Sequence, residues 1–139
     1  MSGEATHSPL AAVQALESGA FRLGQVMRRL LAEHPGLPIH RFRPEVIVSA
    51  YLDEEAETKA RAEIGTGGID SVRSWAEALG GEATVEVMAA STTYAFEHAE
   101  FTASIDGVDV TVIGTRPLSD AEAAAWRAEQ AAAAEGGER

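Results

Sequence analysis

The chain has 139 residues, 45% of them hydrophobic, no cysteine and a formal net charge of −11. That length suits one domain spanning 1–139 with a sizeable core, and the missing cysteines exclude disulfides, thiolate metal sites and a cysteine nucleophile. No apolar run is long enough to read as a membrane span, and no basic segment followed by an apolar one opens the chain as a secretory signal would, so a cytoplasmic location is expected.

The charge is unevenly spread: residues 1–51 carry a net +1 and residues 52–139 a net −12. An acidic surface opposes contact with phosphates, which argues against direct nucleic-acid binding and against adhesion to anionic membranes. Ten of the eleven basic residues are Arg, Lys59 being the exception, and Ala is abundant, a bias typical of GC-rich coding.

In chain order, residues 1–7 are small and polar and are expected to be disordered. Ser8 reads as an N-cap and Pro9 as the first helical residue, where a missing N–H costs nothing. Leu10, Val13, Leu16, Ala20, Leu23, Met27 and Leu30 follow at helical spacing and define one apolar face. Gly19 and Gly24 each weaken that helix by about 1 kcal/mol, leaving room for a break near Ser18 and Gly19. His34-Pro35-Gly36 ends it. A strand centred on residues 46–51 has apolar side chains on both faces, which predicts an interior position. Asp53 then reads as the cap of a helix with Glu54, Glu55 and Glu57 in its first turns and Lys59 and Arg61 later, the order the macrodipole favours.

Glycines at 65, 67 and 68 interrupt that pattern. A helix resumes at 71–79, with Val72, Trp75, Ala76 and Leu79 on one face, and Gly80-Gly81 stops it. Val85, Val87 and Ala89 alternate with Glu86 and Met88 as a strand. Residues 90–93 are turn-like. Phe96 and Phe101 cannot share a face of a regular strand, which predicts a bulge or loop near Ala99. Asp106-Gly107 sits between two alternating runs and predicts a tight hairpin, because both central positions of a type I′ turn need positive φ. Ser119 and Glu122 form a capping box before an Ala-rich helix whose one large apolar anchor is Trp126, so it forms readily and docks weakly. Residues 136–139 are expected to be disordered. The resulting class is α+β: a four-stranded, mainly antiparallel sheet of one early strand and a three-stranded meander, with helices on one face and a C-terminal Ala-rich helix.

The run His34-Pro35-Gly36-Leu37-Pro38 after a helix, the ending Ala78-Leu79-Gly80 and the hairpin at 101–113 resemble a group of small proteins common in actinobacteria and their phages. The resemblance spans roughly residues 21–113 and implies an α+β fold with no activity to carry over.

Several constellations are candidates for function. The turn containing Gly67 and Gly68, ahead of Ser71 and Arg73 in a helix start, offers free N–H groups to an anion, although no GK[ST] follows as in a phosphate cradle. Arg28, Arg29, His40, Arg41 and Arg43 form a basic cluster in an acidic chain and a candidate docking patch. His98 and Glu100 share a strand face and are candidates for acid–base chemistry; no second His lies at ligand spacing, so no metal and no cofactor is implied. The expectation is a non-enzymatic interaction module with a protein partner, itself included as a homodimer. The alternatives are an acidic inhibitor occupying a basic nucleic-acid site on a partner, and a small enzyme with a site near His98 and Arg41/Arg43.

Overall fold

The computed structural model describes residues 9–49, 56–92 and 94–137. Within them lie helix α1 (Pro9–Glu33), strands β1 (Arg41–Ser49) and β2 (Glu57–Gly65), helix α2 (Ile69–Ala78), strands β3 (Thr84–Ala89), β4 (Ala95–Ile105) and β5 (Val108–Pro117), and helix α3 (Asp120–Gly137). The class is α+β, but the sheet has five strands in the order β1-β2-β5-β4-β3 and is mixed. β2 and β5 run parallel, with Ala60 beside Val108 and Gly65 beside Ile113, and every other pair is antiparallel. α1 lies over β1 and β2 and α2 over β4 and β5, both on the same side of the sheet.

The extra strand is the stretch whose charge order predicts a helix. In β2, Thr58, Ala60, Ala62 and Ile64 point to the helical side, and Ala60, Ala62 and Ile64 are buried. Glu57, Lys59, Arg61 and Glu63 point the other way, a period of two that a helix could not satisfy. The expected cap at Asp53, with Glu54 and Glu55, lies outside the described residues, as do Ser8, Ala50, Tyr51, Thr93, residues 1–7 and residues 138–139. β1 begins at Arg41, earlier than expected, and is an edge strand, not an interior one. Pro44 at its middle fits that position, since a proline removes a ladder donor that only an edge tolerates.

α1 is unbroken through Gly19. A Cβ on Gly19 would fall 2.5 Å from Thr58 Cγ2 and 2.7 Å from Val46 Cγ1, so this glycine marks the closest approach of helix to sheet. The Thr58 hydroxyl donates to the Ala15 carbonyl at 3.3 Å in the same region. No bulge occurs near Ala99: β4 keeps one register from Phe96, opposite Pro117, to Ile105, opposite Val108. Phe101 turns into the core and Phe96 to the open face, where Tyr94 lies against it at 5.8 Å between ring centroids. At the hairpin, Asp106 (φ 49°) and Gly107 (φ 83°) take the two positive-φ positions.

One core joins Leu23, Val26, Met27 and Leu30 of α1 to Val72, Trp75 and Ala76 of α2 and to Phe101, Val108, Val110 and Val112 of the sheet. Each large side chain so buried contributes roughly 1.5–3 kcal/mol. Trp75 is fully buried, and its indole N–H donates to the Pro38 carbonyl at 2.9 Å, tying α2 to the segment between α1 and β1. The capping box forms: the Ser119 N–H donates to Glu122 Oε1 at 2.9 Å and the Glu122 N–H to Ser119 Oγ at 3.1 Å. Among its described residues α3 buries only Ala123 and half-buries Trp126 and Arg127, and it runs on to Gly137, two residues into the stretch expected to be disordered. Among the described residues no helix is long and apolar enough to cross a membrane.

Candidate interaction surface

α1 carries two stripes. The inward one is Gly19, Leu23, Val26, Met27 and Leu30, all buried. Among the described residues none before Gly19 is buried: Val13 and Leu16, which continue the apolar spacing of the core stripe, remain exposed, as does Leu10 on the outward side. The outward stripe falls at alternating steps of four and three, Leu10, Gln14, Glu17, Phe21, Gly24, Arg28 and Leu31, and points away from the sheet. Phe21 is 68% exposed and is the most exposed large apolar residue described. Gly24 is its neighbour one turn on; a Cβ added there meets nothing within 4 Å.

Two hollows meet at Ala20 and Gly24. One, of about 460 Å³, lies between α1 and β1 and is lined by Leu16, Leu23, Met27, Phe42, Pro44 and Val46. The other, of about 650 Å³, opens on the outer side between Phe21, Gln25, Arg28 and Arg29. Small residues at 20 and 24 produce both, because each leaves its turn without a side chain long enough to fill the space. Arg29 is committed within the chain, reaching Asp106 of the hairpin at 2.6 Å and lying 3.9 Å from Glu33. Glu17 and Arg28 have no ion-pair partner among the described residues.

The predicted basic cluster is divided by the sheet. Arg28 and Arg29 sit on α1, whereas Arg41 and Arg43 project from the opposite, open face and both lean toward Glu63, at 3.6 and 3.9 Å. His40 lies at the end of the sheet with its ring against Gly67, and its backbone N–H donates to the Gly65 carbonyl at 2.8 Å. The open face is laced with such pairs, Arg61 with Glu45 at 2.7 Å among them.

The glycine turn follows a strand and not the helix predicted ahead of it, since β2 leads straight into it. Gly67 and Gly68 sit where the parallel strands β2 and β5 end, and Gly68 caps α2 without a side-chain bond. Ser71 and Arg73 line an open cleft of about 690 Å³ there. Its cations are answered by carboxylates: Arg73 lies 3.7 Å from Asp70, and Arg116 is held by Glu97 at 2.6 Å and Glu122 at 2.9 Å. His98 and Glu100 do adjoin, Nε2 to Oε1 at 3.3 Å, on the open face of β4. Three strand spacings, roughly 14 Å, separate β4 from β1, so the arrangement does not bring His98 to Arg41 or Arg43. No group of three or more His, Asp or Glu side chains among the described residues could hold a metal.

No family model, curated protein or solved structure matches the chain. Its function has to be read from its own surface. The residue that sequence reading passes over is Phe21. It stands off the apolar stripe formed by Leu16, Ala20, Leu23 and Met27, and that displacement is the signal that could have marked it as outward-facing.

Proposed function

We propose that the chain is a non-enzymatic protein-interaction module of the cytoplasm, an accessory or regulatory protein that docks its partner on the solvent side of α1. The observation that carries this is the apolar hollow between α1 and β1, continuous at Ala20 and Gly24 with the exposed Phe21. An apolar surface of this kind is commonly covered by a partner. The occupant it suits is an amphipathic helix of a protein: Pro44 leaves the β1 edge short of a donor, which works against addition of a strand.

The acidic-inhibitor reading draws less from the geometry. Residues 57–63 set Lys59 and Arg61 between Glu57 and Glu63 on the open face, while α3 starts on the helical side beside Glu97 and Arg116. The enzyme reading asks for His98 in a cleft near Arg41 or a carboxylate, and it draws only on the half-buried His98 beside Glu100 at 3.3 Å, with the arginines of β1 three strands away. An actinobacterial or phage origin remains what the family resemblance implies. The test is a comparison of immobilised wild type with a Leu16→Glu/Phe42→Glu variant whose fold is checked by circular dichroism. Wild type should retain from a native-host lysate a protein that the variant loses. Identical retained sets from the two would defeat the proposal.

A further inference from the structure

Resting on that docking surface, we infer that its partner is a second copy of this chain, with two α1 helices paired antiparallel about a two-fold axis between residues 22 and 23. This register sets Phe21 of each copy opposite Gly24 of the other, and Glu17 opposite Arg28. Both matches occur twice, as an isologous contact requires.

The outward stripe carries what such a pairing needs. Phe21 is an apolar knob 68% exposed, and one turn away Gly24 provides a socket in which a Cβ meets nothing. Ala20 beside it lets a second helix approach closely. Among the described residues Glu17 and Arg28 have no ion-pair partner, and they lie on opposite sides of the axis in the order that antiparallel packing converts into opposite-charge pairs. Parallel packing would set Phe21 on Phe21, Glu17 on Glu17 and Arg28 on Arg28, so the charges also choose the direction. A stripe that complements itself in both shape and charge fits another copy better than an unrelated helix.

Sedimentation velocity across the micromolar range should show the purified wild type passing from monomer to dimer. Gly24→Gln is the decisive variant. It is sterically free in the monomer and favours the helix, so the dilute protein melts at a higher temperature; yet it fills the socket and weakens dimerisation by at least about tenfold. Glu17→Arg and Arg28→Glu should each weaken the dimer, and the two together should restore it, because the pair is rebuilt with its signs exchanged. A dimer unaffected by Gly24→Gln and Phe21→Ser, or single charge reversals that the double variant fails to rescue, would overturn the inference. A wild type that stays monomeric would overturn it too. If that monomer still captured a partner through Leu16 and Phe42, the docking surface would stand and only the second copy would be lost.

Discussion

Replacing Gly114 by alanine tests how the parallel junction is closed. Gly114 lies on β5 opposite Ala99 and faces the helical side of the sheet. A Cβ there would sit 2.5 Å from the Gly68 carbonyl oxygen, 2.6 Å from Thr66 Oγ1 and 2.9 Å from Val72 Cγ2. The backbone at 114 is not in the positive-φ region, so alanine is not strained by conformation. On its own it would gain about 0.4–1 kcal/mol by restricting the unfolded chain. Against this, overpacking a filled site costs typically 1–3 kcal/mol, and the nearest atom is backbone, which yields only if the start of α2 moves. The Thr66 hydroxyl, which lies within hydrogen-bond range of the Ile113 carbonyl at 3.1 Å and of the Gly68 carbonyl at 3.2 Å, would also be displaced at a cost of roughly 1 kcal/mol. The net is a loss of about 2 kcal/mol, or roughly 8 °C in melting temperature for a chain of this size. Urea unfolding followed by circular dichroism should show a lower midpoint with an unchanged slope. Gly24→Ala, in open space on α1, is the control and should gain about 0.5–1 kcal/mol when measured in dilute protein. A Gly114→Ala protein as stable as wild type would mean that the 66–68 loop does not cross β5 at this point.

Trp75→Phe should cost about 2 kcal/mol in thermal unfolding, because it removes the donor to the Pro38 carbonyl and part of a fully buried ring. The remaining emission, from half-buried Trp126, should lie to the red of wild type; a loss under about 0.5 kcal/mol would deny Trp75 its place. Glu122 gives a pH prediction. The Arg116 side chain, and then the Ser119 N–H, hold its carboxyl at about 2, below the ordinary 4.5. A depressed folded value means that the contact contributes fully above pH 4.5 and is lost as pH falls toward 2. Carboxyl NMR should therefore find Glu122 titrating near 2, with the first turn of α3 fraying over that window, and Glu122→Gln should abolish the acid step.

What could be read from the sequence depended on whether one conformation excluded its rivals. Asp106-Gly107 demands positive φ twice, which leaves little but a tight hairpin, and Ser119 with Glu122 specifies a helix start through two reciprocal bonds. β2 had no such lock. Glu57, Lys59, Ala60, Arg61, Ala62 and Glu63 are helix formers, and their charges run in the order a helix prefers. Alanine, the residue that lines the buried side of β2, also fits a helix well. Its alternation with charge becomes decisive only when α1 is known to lie so close that Gly19 must lack a side chain. Pro44 is the legible clue to the topology, since it alone places β1 at an edge.

The surface of α1 was hidden for a different reason. Residues that pack on a sheet and residues that pack on another molecule recur with the same helical period, so Leu10, Val13 and Leu16 looked like a continuation of Leu23, Met27 and Leu30. The division between them lies at Gly19, where the first fully buried side of the helix begins, and nothing in α1 itself records where the neighbouring sheet starts. The two glycines make the same point more sharply. Five residues place them roughly 140° apart around the helix axis, nearly on opposite sides. Gly19 is small because Thr58 and Val46 occupy the space beside it, whereas no described residue occupies the space beside Gly24. Propensity charges both positions alike. One of those costs is offset inside the fold by close packing on the sheet. The other has no compensation among the described residues, and it would acquire one when Phe21 of a second copy enters the socket.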